Sequence, residues 1–145
     1  MGQKFEYLEH LSDAGIKFYG ETPEELFENA ALGMFSLVSD IDSVKLEKKV
    51  DIDLVSESSN LEDMLVLWLE KLLYHFEVDE MLFSGFKVFS LKKCGESYKL
   101  AASILGEKVD HRRHEIKIGI KAPTYHQLAI KNKNRKWWGR VIFDI

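Results

Sequence analysis

Two carboxylates stand at opposite ends of this sequence. Asp13 lies in Glu9-His10-Leu11-Ser12-Asp13-Ala14-Gly15-Ile16, a polar, glycine-containing stretch that follows a strand-like run. Asp144 precedes Ile145 at the end of another such run. If the first loop meets the last strand, the side chains of Asp13 and Asp144 and the terminal carboxylate of Ile145 form an all-oxygen cluster. Grouped carboxylates repel one another unless a cation or a basic side chain neutralises them. Oxygen-only sites suit hard ions such as calcium or magnesium. The plainer reading makes Asp13 a turn residue and Asp144 a frayed end, and spacing alone favours it.

Other polar residues could serve such a cluster. His10, His114, Lys121 and His126 can hydrogen-bond to ligating carboxylates and orient them, although a histidine beside Tyr125 on a strand is by itself more often structural. Asp110-His111-Arg112-Arg113-His114 reads either as a solvated loop or as a set of guanidinium and imidazole donors for a phosphate or carboxylate. The segment Lys131-Asn132-Lys133-Asn134-Arg135-Lys136, followed by Trp137, Trp138 and Arg140, combines cations with aromatics. That is the composition of a nucleic-acid stacking surface, and equally of a hairpin turn feeding a core strand. One of two adjacent tryptophans in a regular strand must face away from the core. Asp51 and Asp53 share a strand face, and an exposed face explains them without a metal. Cys94, the single cysteine, follows Lys92-Lys93 in an expected turn and reads as a bystander. There is no phosphate-cradling glycine loop, no zinc-type spacing and no serine nucleophile elbow, so the expectation is a protein that is not itself an enzyme. Two alternatives stay open: a small RNA-binding module using Arg112, Arg113 and the Lys131–Arg140 segment, and a metal-dependent phosphoesterase in which the carboxylate cluster activates water.

The elements that must position these residues follow from periodicity. Lys4–Leu8 and Gly15–Gly20 read as strands. Thr22-Pro23-Glu24-Glu25 starts a helix: Thr22 caps, Pro23 suits the first turn, and Glu25 sits at the capping-box position. Leu26, Phe27, Ala30, Ala31, Met34, Phe35 and Val38 recur at helical spacing, and the helix should end near Ser39–Asp40. Val44–Val55 is a strand. Asn60 caps a second helix whose wide apolar face runs from Met64 to Phe76. From Met81 onward strands are expected: Met81–Leu91 broken at Ser84-Gly85, a turn at Cys94-Gly95, Tyr98–Leu105, Glu115–Lys121, Thr124–Ile130, a turn over Lys131–Lys136, and Trp137–Ile145. The order predicts an α+β fold, one domain over residues 1–145, with a largely antiparallel β-sheet packed against two main α-helices.

Composition sets the class. The chain has 145 residues, 46% hydrophobic and 30% charged, and a chain of this size can bury enough surface for its own core. Residues 1–90 carry 7 basic against 19 acidic side chains, and residues 91–145 carry 13 against 5. Such a split favours charged partners or packing of the two halves on each other. A lone cysteine and the lack of an apolar leader or spanning run lead us to expect a cytoplasmic protein with no membrane partner.

The chain resembles archease nearly end to end. The residues that carry the likeness are Tyr7-Leu8-Glu9-His10 with Asp13-Ala14-Gly15-Ile16, then Glu25-Leu26-Phe27-Glu28-Asn29-Ala30-Ala31 and Asp40. They continue with Gly106-Glu107, Arg113-His114, Lys121-Ala122 with Thr124-Tyr125-His126, and Val141-Ile142-Phe143-Asp144-Ile145. Leu11-Ser12 and Pro123 depart from the family pattern, and Pro123 removes a backbone donor between Lys121 and His126. The resemblance implies a non-catalytic activator of the RNA-splicing ligase RtcB in tRNA splicing. Such an activator promotes guanylylation of the ligase and its multiple turnover, and broadens its nucleotide use. It further implies a divalent cation, calcium foremost with magnesium or manganese as alternatives, held by Asp13, Asp144 and the Ile145 carboxylate, with Asp40 next. Lys121 is the implied functional residue outside the ligand set. RNA enters as a partner within the ligase complex, and DNA does not.

Overall fold

The computed structural model describes residues 2–8 and 14–145. Its elements in chain order are β1 (Phe5–Tyr7), β2 (Ala14–Gly20), α1 (Pro23–Val38), a 3-10 turn (Ile41–Ser43), β3 (Lys48–Ser56) and α2 (Leu61–Glu77). There follow β4 (Met81–Cys94), β5 (Ser97–Lys108), β6 (Ala122–Pro123), β7 (Ala129–Lys133) and β8 (Lys136–Asp144). They form two antiparallel sheets. In the first, β8 lies between β2 on one side and β6 and β7 on the other, with β1 outside β2. The second has the order β3-β5-β4. The fold is α+β, as the element order predicts.

Helix α1 joins the sheets. Thr22 Oγ1 accepts from the Glu25 N–H at 3.1 Å, which satisfies one of the helix's orphan donors. Glu25 reaches back to the Glu21 N–H, one residue short of the cap itself. Ten of the sixteen helical residues are buried, around the whole helix except the side of Glu25, Glu28 and Leu32. A helix with only one core-facing stripe would not show this. It packs on β2 of one sheet and β4 of the other. Phe35 meets Phe83 and Phe76 edge-on and stacks on Phe86, with centroids 5.7–6.4 Å apart. Its buried polar groups are satisfied: Asn29 Nδ2 donates to the Tyr19 carbonyl and Ser36 Oγ to the Gly33 carbonyl, each at 2.7 Å.

Helix α2 starts at Asn60, whose side chain accepts from the Asp63 N–H at 2.9 Å. Its buried residues run Met64, Leu65, Val66, Trp68, Leu69, Leu72 and Leu73. Trp68 is fully buried, and its indole N–H donates to the Phe27 carbonyl at 3.0 Å, tying α2 to α1. Truncating such a side chain to alanine costs about 3–5 kcal/mol.

Several strand boundaries differ from the sequence reading. Ser84-Gly85 does not break β4: the register shifts between Phe83 and Gly85 and again between Val88 and Ser90, so the strand bulges and continues to Cys94. β3 begins at Lys48, not Val44, because Val44 closes the 3-10 turn with its N–H on Ile41. The segment 115–121 is not a strand. Its isoleucines do alternate inward as expected, with Ile120 buried and Ile116 and Ile118 packed against the core. Its backbone instead bonds outside any ladder: the Lys117 N–H to Val38 O and the Lys121 N–H to Asp144 O. Thr124–Ile130 likewise divides. Tyr125–Gln127 forms a turn, with Gln127 at φ 55°, between the short β6 and β7. The hairpin turn expected over Lys131–Lys136 narrows to Asn134 and Arg135, at φ 54° and 63°. Positive φ at both central residues is what a two-residue hairpin turn requires.

Candidate functional site

The register of the first sheet brings the ends of the chain together. Ala14 at the start of β2 lies opposite Phe143, and Gly15 opposite Ile142. Asp13 is bonded to Ala14, and Asp144 to Phe143. Asp13 and His10 themselves lie outside the described residues. On the other side of β8, Ala122 pairs with Asp144 and Pro123 with Phe143. The Lys121 N–H donates to the Asp144 backbone oxygen at 2.8 Å. That bond leaves the Asp144 side chain exposed, with no hydrogen bond or ion pair among the described residues. Ile145 is 45% exposed beside it.

Asp40 stands at the far end of the segment that leads here. It follows α1, and its Oδ1 accepts from the Asp42 N–H at 3.1 Å while its carbonyl takes the Ser43 N–H and hydroxyl. These are the contacts of a cap on the 3-10 turn. Segment 115–121 then runs from α1, where Ser39 Oγ donates to Glu115 O at 2.7 Å and Lys117 N–H to Val38 O, towards Asp144. Among the described residues, no three His, Cys, Asp or Glu side chains converge as a metal site. A site of three such side chains would therefore have to include residues of the 9–13 segment. The donors that are described, Asp144 and Asp40, are carboxylates, which fits a hard cation and excludes a thiolate-type metal site.

Of the four polar residues named with the cluster, the three that are described are placed differently. Lys121 is exposed and adjoins Asp144 through its backbone. His126 is exposed in the turn after β6. In that turn the Tyr125 hydroxyl donates to Asp63 Oδ1 at 2.8 Å, and the Asp63 carboxyl pKa is lowered by its hydrogen bond with Ser58 above all and by this one next. His114 is committed elsewhere. The Asp110 N–H donates to its Nδ1 at 2.9 Å, so that nitrogen carries the lone pair. Its Nε2 then carries the proton, 3.0 Å from Glu107 Oε2. Both ring nitrogens of a buried imidazole are thus occupied.

Glu107 is the residue the sequence reading left without a role. It is 4% exposed, and its carboxylate receives the Arg113 guanidinium, the Lys45 N–H at 2.7 Å and His114 Nε2. Arg113 also donates to Ser43 O at 2.7 Å. Arg113 above all, with the Lys45 amide and His114, holds the Glu107 carboxyl at about 2, against the opposing effect of burial. This node pins the 110–114 loop to the chain before β3, and so fixes where segment 115–121 begins. The signal was present as Glu107 followed by Arg113-His114, but a lone glutamate in a strand carries no mark of its partners.

Comparison with known proteins settles the family. The sequence model of the archease protein family matches residues 5–145. The chain belongs to the archease family. The archease of Methanosarcina barkeri is 41% identical over 144 residues, covering 99% of this chain and 97% of its own. That of Pyrococcus furiosus is 39% identical over 144 residues, covering 99% of each. A solution structure of a Methanobacterium thermoautotrophicum protein, 32% identical, superposes with a TM-score of 0.84 over 97% of this chain and 98% of that one. A Thermotoga maritima archease, described as a possible chaperone, shares the fold at a TM-score of 0.53 and 19% identity, over 95% of this chain and 94% of that one. Among the described residues, no helix is long and apolar enough to cross a membrane.

Proposed function

We propose that this archease is an accessory protein of the RNA-splicing ligase RtcB in tRNA splicing. In this reading it acts on the ligase through a divalent cation held by Asp13, Asp144 and the Ile145 carboxylate. The observation that supports the reading is the register of β2 on β8, which sets Ala14, the residue after Asp13, against Phe143, the residue before Asp144. Asp144 offers an exposed carboxylate with its backbone already committed to Lys121. Calcium is the favoured ion, because it accepts irregular sets of carboxylate and carbonyl oxygens; magnesium demands stricter geometry. When bound, the ion would supply positive charge at the protein surface, where a phosphate or carboxylate of the partner could meet it. Lys121 adds a second cationic group on the same edge. Asp40, with one oxygen already capping the 3-10 turn, is the secondary candidate.

Multiple-turnover ligation with the cognate ligase tests this. The native protein should raise turnover, ligase guanylylation and the range of nucleotides used. Asp13→Asn and Asp144→Asn should remain folded and lose the stimulation. Native protein without effect on the ligase would overturn the reading, and full stimulation by both variants would remove the carboxylates from it.

A further inference from the structure

The outer face of the first sheet carries an arrangement that the cation site does not use. Directly opposed residues of antiparallel strands project to the same face. Tyr19 lies opposite Trp138, and Lys131 lies opposite Trp138 from the other side. Lys17 lies opposite Arg140, and Lys133 opposite Lys136. Trp137, one residue along, packs against the core, so Trp138 is the tryptophan turned outward.

The side chains interlock. Lys17 Nζ sits 4.6 Å from the centroid of a Trp138 ring and 5.6 Å from that of Tyr19. The Arg140 guanidinium sits 5.9 Å from the same tryptophan, and its Nε–H donates to Gln127 O at 2.8 Å. Both aromatics are half-buried, so each presents part of its surface to solvent. Five cations therefore share one face with two aromatics. Among the described residues two acidic side chains lie on it: Glu6, opposite Lys17, accepts from the Tyr19 hydroxyl at 3.0 Å, and Asp144 follows four residues after Arg140 along β8. Among the described residues none of the five cations is ion-paired.

Like charges directly opposite one another destabilise a sheet. This face holds two such pairs, Lys17 with Arg140 and Lys133 with Lys136. A polyanion would remove that repulsion. The aromatics narrow the choice of polyanion, because the anionic units of an acidic peptide, Asp and Glu, carry no rings, whereas every unit of a nucleic acid carries one beside its phosphate. Bases do, and stacking of bases on aromatic side chains beside a cationic track is how single strands are bound without sequence preference.

We propose that this face binds a short single-stranded nucleic acid, with bases against Trp138 and Tyr19 and phosphates on Lys17, Arg140, Lys131, Lys133 and Lys136. None of these residues belongs to the carboxylate cluster, and binding needs no ligase.

Anisotropy of a labelled oligouridine RNA, titrated with the isolated protein at a series of salt concentrations, tests it. Native protein should bind, with log K falling linearly against log salt. Trp138→Ala should weaken binding by roughly tenfold or more, and Trp138→Phe should restore most of it. Lys17→Ala with Arg140→Ala should make the salt slope shallower by about 1.4, since each phosphate contact on a single strand contributes about 0.7. A merely structural role for these residues would not move that slope. Circular dichroism and melting of each variant verify folding, and Trp138→Phe keeps the test decisive if the alanine variant is unstable. No binding at low salt would overturn the proposal. So would equal binding by native and folded Trp138 variants, or displacement of the RNA by polyglutamate as readily as by unlabelled RNA. Since no ligase is present, these outcomes are separate from those of the ligation assay.

Discussion

Replacing Glu107 with glutamine changes almost no volume and removes one charge from the buried node. The glutamate receives two neutral-atom donors on Oε2, from Lys45 and His114, and the Arg113 guanidinium on Oε1. A glutamine can keep the first two only by turning its NH2 group towards the guanidinium, so donor would face donor. The carboxyl's displacement from 4.5 to about 2 equals about 3 kcal/mol at face value. Arg113 is 35% exposed, and solvent screening reduces that to about 1–2 kcal/mol. The unsatisfied donors add about 1 kcal/mol or more. Glu107→Gln should therefore lose about 2–3 kcal/mol at pH 7, a fall in Tm of about 5–10 °C for a chain of this size. The sign with pH follows from linkage. The folded carboxyl binds protons less readily than the unfolded one, so its contribution is fully present above about pH 4.5 and is lost as pH falls towards about 2. Urea unfolding of both proteins at pH 7, 5 and 3 should show the gap narrowing on acidification. A gap under 0.5 kcal/mol at pH 7, or one that stays constant to pH 3, would refute the reasoning, because the carboxylate would then not be the charged centre of the node.

Three further outcomes are expected. Gly106→Ala should cost about 3 kcal/mol or more in chemical denaturation, since an added Cβ would come to 1.8 Å from the backbone oxygen of Leu82, which cannot give way without parting β4 from β5. Asn60→Ala should cost about 1 kcal/mol through loss of the α2 cap, with Asn60→Asp close to neutral in the same measurement. Residues appended after Ile145 should weaken calcium binding in calorimetric titration while leaving Tm in chelator nearly unchanged, because the appended peptide bond removes one anionic oxygen from the proposed ligand set.

The legible parts of this fold were those encoded locally. Thr22-Pro23 and Asn60 mark helix starts through side chains that act within four residues, and both caps stand where those residues place them. Segment 115–121 shows the limit. Its alternation of isoleucines correctly gave the inward face, yet alternation reports burial rather than pairing, and the backbone found α1 and β8 as partners instead of a neighbouring strand. The same holds for Ser84-Gly85, where a bulge and a break look alike in sequence. At the candidate site, Asp144 and Lys121 were nameable from the resemblance and meet through a backbone bond. The engagement of His114 by Glu107 was not legible, because a histidine's partner is fixed by tertiary placement. Lys17 and Tyr19 were overlooked for a related reason: their alternation about Phe18 was visible, but what lay opposite them on β8 was not.

The placement of β8 has a consequence for how the molecule is made. It is the strand on which β2, β6 and β7 all depend, yet its partner β2 lies far upstream, from 117 residues for Gly20 against Trp137 to 129 for Ala14 against Phe143. Contacts so distant in sequence close large loops and tend to form late. The β3-β5-β4 sheet needs only residues 48–108 and can assemble with the helices while the chain is still growing on the ribosome. During that interval the edge of β2 that β8 will occupy has no strand to pair with, a state that invites pairing with other chains. Lys17, on that strand, then acts as a gatekeeper before it has any other role, since a charge on an open strand opposes association with a second copy.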